Sequence, residues 1–250
     1  MRAAGRSRAG GVGEPWRQAC VRVGQAGHRV ERTPASIAAV GEAAHDPLRM
    51  YLVIRRGAFS ELDRAGELTG AAAVRCVREF RGDEALERWR PRPGKVVLRA
   101  RGGQWDVLLE QEERHVVIDD AVVGLPPRRR SERGPLLERM QAMTSALDPP
   151  PPAPPEPDRT AVTYLVNPEI EMSSGKTLAQ IAHAAVMAAD TGRLEEWVTQ
   201  GCPGRVLVPS PARFRELCGS RELPARVEDA GLTEVAPGTV TVLALPPAVG

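Results

Sequence analysis

The stretch Met172-Ser173-Ser174-Gly175-Lys176-Thr177-Leu178-Ala179-Gln180-Ile181-Ala182-His183-Ala184-Ala185 decides how the second half of this chain folds. It carries the chain from an apolar strand, Val162 to Val166, into an alanine-rich helix. At about 100° per residue, Gln180 lies roughly 40° to one side of Lys176 and His183 roughly 20° to the other, so the three polar side chains share one narrow face. Polar groups gathered on one face of a helix otherwise built from Ala, Leu and Ile mark a site, not a core stripe. His183 is the only histidine in this half, and a group that titrates near neutrality suits proton transfer.

The turn Ser173-Ser174-Gly175-Lys176-Thr177 invites comparison with a nucleotide-binding P-loop, which needs a glycine five residues before its Gly-Lys pair. That position is Ile170, so nucleoside triphosphate binding is not expected. What the turn does offer is a helix N-terminus with unpaired backbone N–H groups beside a lysine ammonium, a combination that holds a phosphate or a developing oxyanion.

Farther along, Asp229-Ala230-Gly231-Leu232-Thr233-Glu234-Val235-Ala236-Pro237-Gly238-Thr239 precedes the apolar run Val240 to Leu245. A carboxylate that starts a loop after a strand can reach a neighbouring helix face, and it can equally form an Asx turn over Ala230 and Gly231. Between the two motifs the pattern predicts strand 162–167, helix 176–190, short helix 193–199, strand 204–208, helix 210–218, strand 224–228, a loop over 229–238 and strand 239–245. Strands alternating with helices predict an α/β fold with a mixed four-stranded sheet flanked by helices.

With both motifs in this order, residues from about 161 to 247 resemble the archaeal-type peptidyl-tRNA hydrolase family. Its members carry a strand, a Met-x-x-Gly-Lys turn and a helix reading Gly-Lys-x-x-x-Gln-x-x-His-Ala-Ala. The resemblance implies a hydrolase that cleaves the ester between a peptide, or an N-blocked aminoacyl group, and tRNA, and so recycles tRNA without metal or cofactor. It assigns Lys176, Asp229 and Thr233 to the reaction, with His183 and Gln180 lining the site and Ser174 and Gly175 beside the substrate. On this reading water activated by His183 or Asp229 attacks the carbonyl, and Lys176 with the helix N-terminus stabilises the oxyanion.

The chain also departs from the family. The first strand-turn reads Asn167-Pro168-Glu169-Ile170-Glu171 in place of the family's usual basic and acidic residues, and the lysines that often flank the second strand are thinned to Arg205. Phosphate contacts supply much of RNA affinity, so the alternative is a catalytically silent RNA-binding or scaffold protein that retains the hydrolase fold. Arg128, Arg129, Arg130 and Arg133 are the expected replacement cations.

The residues before this unit look like a second copy of it. Tyr51-Leu52-Val53 matches Tyr164-Leu165-Val166, Gly66 with its helix matches Gly175 with its helix, and Leu86-Glu87-Arg88-Trp89 matches Leu194-Glu195-Glu196-Trp197. Pro93-Gly94-Lys95-Val96 matches Pro203-Gly204-Arg205-Val206, and Asp119 falls opposite Asp229. The copy is degenerate, with Glu67, Ala71, Val74 and Val123 in place of Lys176, Gln180, His183 and Thr233. Family members commonly pair as two identical subunits, so such a copy is expected to act as a built-in partner, a pseudo-dimer within one chain.

The expected organisation is a disordered basic extension over 1–46, a degenerate hydrolase-like copy over 47–147, a proline-rich linker over 148–160 and a catalytic domain over 161–250. Hydrophobic residues make up 42% of the chain and aromatics only 4%, so its cores must be built from Ala, Val and Leu. A net charge of +2 leaves RNA binding open without arguing for it. Cys20, Cys76, Cys202 and Cys218 form no Cys-x-x-Cys pair, which predicts reduced thiols, no zinc site and a cytoplasmic protein. No apolar stretch approaches the roughly 18 residues needed to span a bilayer.

Overall fold

A computed structural model describes residues 46–144, 146–150, 152 and 158–248, and it builds them as two mixed sheets covered by helices. The basic extension and most of the proline-rich linker lie outside the described residues.

The first lobe runs through β1 (Arg49–Arg55), α1 (Leu62–Glu79), α2 (Glu84–Trp89), β2 (Gly94–Ala100), α3 (Gln104–Gln111), β3 (Val116–Ile118), β4 (Val122–Arg128), α4 (Gly134–Arg139) and β5 (Gln141–Ala142). The second runs through β6 (Val162–Val166), α5 (Ser174–Asp190), α6 (Glu195–Thr199), β7 (Gly204–Leu207), α7 (Pro211–Cys218), β8 (Ala225–Glu228) and β9 (Val240–Leu245). Each predicted element of the second lobe is present within two residues of its expected bounds.

Strand order is β3-β4-β1-β2-β5 in the first sheet and, read in the same sense, β8-β9-β6-β7 in the second. Directions agree as well, since β1–β2 and β6–β7 are parallel while the other shared pairs are antiparallel. The expected four strands hold for the second sheet only. In the first, Gln141 and Ala142 pair with Arg99 and Leu98 on the free edge of β2 and add a fifth strand.

The sheets correct the residue matching. Tyr164 faces the long helices, whereas Tyr51 faces the opposite core with Leu98, Trp105 and Leu108, so the two tyrosines are not equivalent. A one-residue slip moves a side chain to the other face of a sheet. Leu52, paired with the inward Val97, takes the place of Tyr164, paired with the inward Val206. The same parity sets Ile118 beside Val227, which puts Asp120 rather than Asp119 at the position of Asp229.

Val123 does not stand where Thr233 does. Ile118 pairs with Val122 across a tight turn, with Asp119 and Asp120 both at positive φ and Ala121 N–H donating to Ile118. That is the hairpin turn whose twist matches its strands. In the second lobe the corresponding pair is Val227 and Val242, so the whole Thr233 loop is absent from the first.

One core joins the lobes. It contains Met50, Leu52 and Ile54 from the first sheet, Val162, Tyr164 and Val166 from the second, and the facing sides of α1 and α5. The helices approach closely because α1 presents Gly66 and Gly70 where α5 presents Ile181 and Ala185. α1 also packs on β7 and α5 on β2, so each long helix touches the other lobe's sheet. The Asp63 carboxylate accepts from Val206 N–H at 2.6 Å, capping the β7 edge, and Arg90 pairs with Asp190 at 2.8 Å.

In an isolated helix, Gly66→Ala would stabilise by about 0.5–1 kcal/mol. Here a Cβ at Gly66 stands 2.5 Å from Val206 Cγ2 and 3.0 Å from Ile181 Cδ1. The substitution is therefore expected to destabilise by about 1–3 kcal/mol in urea unfolding. Gly103→Ala, with φ −70 and no atom within 4 Å of the new Cβ, meets no such clash and should cost no more than about 0.5–1 kcal/mol, the loss from the poorer N-cap.

Candidate active site

α5 begins where Ser173 caps it, its Oγ accepting from Lys176 N–H at 3.3 Å. Ser173 in turn donates through Oγ–H and N–H to the two carboxylate oxygens of Glu234, both at 2.7 Å. The helix N-terminus is thus occupied by a hydroxyl and faced by a carboxylate. Of the first N–H groups of the helix, Lys176 N–H is thereby paired, and Glu234 places a negative charge beside the helix start. Glu234 stands in the second motif, yet only the folded loop shows that it ties that loop to the helix start.

The Glu234 clasp brings the 229–239 loop across the polar face of α5. Lys176 Nζ donates to Asp229 Oδ2 and, at 2.9 Å, to Thr233 Oγ1. Gln180 Nε2 donates to the same Asp229 oxygen at 2.6 Å, and Gln180 Oε1 accepts from Thr241 Oγ1 at 3.1 Å. Asp229 Oδ1 accepts from Gly231 N–H at 2.8 Å, so the Asx turn and the reach to the helix are both realised. The Lys176 and Asp229 side chains are only 14% and 6% exposed. Backbone bonds from Asp229 N–H to Thr239 and from Gly238 N–H to Asp229 close the loop at its base.

Lys176, Gln180, Asp229 and Thr233 are therefore one hydrogen-bonded group. His183 shares no hydrogen bond with any of them. It lies farther along α5 where that helix packs on β2, and burial, together with the nearby Lys95 charge, holds its pKa well below the usual 6.5. Lys95 sits 4.7 Å over the Trp89 ring, and burial brings its own pKa down to about 7, with Asp190 opposing.

Ser174 and Gly175 do not open onto this group. The Ser174 hydroxyl accepts from Leu147 N–H at 2.8 Å, and a Cβ at Gly175 would collide with the Met143 carbonyl. Both residues are buried under the segment leaving the first lobe, which is why a motif read from one lobe could not place them.

The first lobe carries no such group. Arg64 holds both Glu67 and Asp119, and Asp120 is bound by Arg55 and Trp105 Nε1. Of the expected cations, Arg128 makes a two-pronged pair with Glu112 at 3.0 and 2.8 Å, Arg129 donates to the Asp46 carbonyl at 2.9 Å, Arg133 lies over the Tyr51 ring and Arg130 is exposed. Among the described residues, no three His, Cys, Asp or Glu side chains are placed to hold a metal ion, and no helix is long and apolar enough to cross a membrane.

A family profile described as "Peptidyl-tRNA hydrolase PTH2" matches residues 160–249, the second lobe. A protein of Methanopyrus kandleri named peptidyl-tRNA hydrolase is 39% identical over 93 residues, covering 33% of this chain and 80% of that protein. One of Saccharolobus islandicus with the same name is 35% identical over 103 residues, covering 35% of this chain and 85% of its own length. A third, from Staphylothermus marinus, is 36% identical over 98 residues, covering 33% and 78% respectively.

The surroundings of His183 set a pH dependence. Its folded pKa is depressed, so below about pH 6.5 the unfolded chain takes up a proton that the folded chain refuses, and stability falls as pH falls. Unfolding free energies of the chain and of His183→Asn should therefore converge on acidification from about pH 7 to 5. A constant difference across that range would remove His183 as the cause.

Proposed function

Because the chain belongs to the PTH2 family of peptidyl-tRNA hydrolases, we propose that its second lobe hydrolyses the ester joining a peptide or N-blocked aminoacyl group to tRNA. The observation that carries this reading is the buried Lys176–Asp229 pair with Thr233 bound to the same ammonium. An ammonium has three N–H donors, and two are used, which leaves one for the ester carbonyl and the oxyanion that forms from it. A carboxylate has about four acceptor sites. Asp229 fills three of them with Lys176, Gln180 and Gly231, so one remains to orient the attacking water. His183, outside the group, is assigned to packing between the lobes.

The first lobe completes the proposal as a degenerate copy serving as a built-in partner, supported by the shared strand order and the common core. The protein is then a pseudo-dimer with one active site, working in the cytoplasm. The second reading is a catalytically silent RNA-binding or scaffold protein, and one observation favours its scaffold form: Arg215 is paired with Glu169 and Arg226 with Glu228, which leaves those cations less available to phosphates.

The deciding assay follows release of the blocked amino acid from N-acetyl-aminoacyl-tRNA. The chain should cleave it, and Lys176→Ala should lower kcat by a factor on the order of 10². Stability should fall by about 1–3 kcal/mol, since Asp229 loses a partner but keeps Gln180 and Gly231. No cleavage by the unmodified chain would favour the scaffold, and full activity in the variant would remove Lys176 from the reaction.

A further inference from the structure

Beside the Lys176 group lies a cavity of about 340 Å³ that the proposed reaction does not use. Its floor is Val166 at the end of β6 and Val208 just beyond β7, the carboxyl ends of the two parallel strands, where open α/β sheets take their ligands. One wall is Ile170 and Met172 from the loop entering α5. The other is Leu147 and Leu62 from the first lobe, so neither lobe forms the cavity alone. Its volume falls within the range of small-ligand sites.

The cavity and the reacting group meet at Ser173. That residue lines the cavity, while its hydroxyl binds Glu234, the neighbour of Thr233, and accepts from Lys176 N–H. Around the helix, Thr177 faces the cavity roughly 100° from Lys176, with Ser173 between them. A substrate whose carbonyl sits at Lys176 thus has one side directed at the cavity.

Among the described residues no Lys, Arg, Asp or Glu side chain lines the cavity, and most of its lining is aliphatic or proline. Polyanionic tRNA cannot be held there, since phosphates need cations. The other part of the ester is an acyl group with an uncharged amide and a side chain.

Resting on the hydrolase reading, we infer that this two-lobed cavity binds the peptidyl part of the substrate and favours an apolar side chain on the residue that carries the ester. The first lobe then contributes to specificity through Leu62 and Leu147 as well as supporting the fold.

The test charges one tRNA with either N-acetyl-phenylalanine or N-acetyl-glycine and presents both to the full chain. The phenylalanyl ester should be cleaved with about tenfold higher kcat/KM, the difference lying in KM, because burying the ring is the only added interaction. Ile170→Trp, which fills the cavity, should abolish the preference and bring the kcat/KM values of the two esters within about twofold of each other. Equal cleavage of both esters by the unmodified chain, or a preference that survives Ile170→Trp, would overturn the inference and leave the hydrolase reading standing. If neither ester is cleaved, the hydrolase reading fails, and N-acetyl-phenylalanine amide still tests the cavity. Millimolar amide should shift the Ile170 and Met172 methyl resonances, and the absence of shifts would overturn the inference.

Discussion

The close approach of α1 and α5 is the constraint on which the rest depends. Gly66 and Gly70 remove the Cβ atoms that would hold the helices apart, and Ile181, Ala185 and Val206 fill the space so made. Ala185 is fully enclosed where it meets Gly70, and a small-residue seam buries area by contact density rather than by side-chain size. A chain with 4% aromatics has few other means of building a core between two sheets. One consequence is directional. With Ile181 and Ala185 turned to α1, Lys176 projects from roughly the opposite side of α5.

That side is arranged around a buried charge pair. Removing an ammonium and a carboxylate from water is costly and is tolerated only when the remaining donors and acceptors are satisfied. Asp229 meets the condition through three donors, and Gln180 is fixed at both ends of its amide, to Asp229 and to Thr241. The same Thr241 hydroxyl proton is shared with the Val227 carbonyl at 3.3 Å, so the group is anchored to the strands flanking the loop. A charge held in place beforehand needs no reorganisation when an oxyanion forms, which is where electrostatic catalysis gains most.

Much of this was legible in the sequence, and the failures have physical causes. Lys176, Gln180, Asp229 and Thr233 were readable because helical periodicity and one loop bring them together within a single lobe. The neighbours of Ser174 and Gly175, Leu147 and Met143, were not readable because they belong to the segment leaving the other lobe. His183 shares the helical face of Lys176 but lies two turns along the axis, and angle alone does not report that distance. The matching of Tyr51 to Tyr164 followed residue identity, whereas the sheets align by the face a side chain occupies. The turn at Asp119 and Asp120 lacks the glycine that usually marks residues at positive φ, which hid the missing loop.

The central claim is that one chain carries both a hydrolase site and the partner surface that supports it. Sedimentation equilibrium run alongside activity over a dilution series tests this most directly. The account predicts a species of 27.0 kDa whose specific activity on N-acetyl-aminoacyl-tRNA does not change with concentration. A species of twice that mass that loses activity as it dissociates would contradict it.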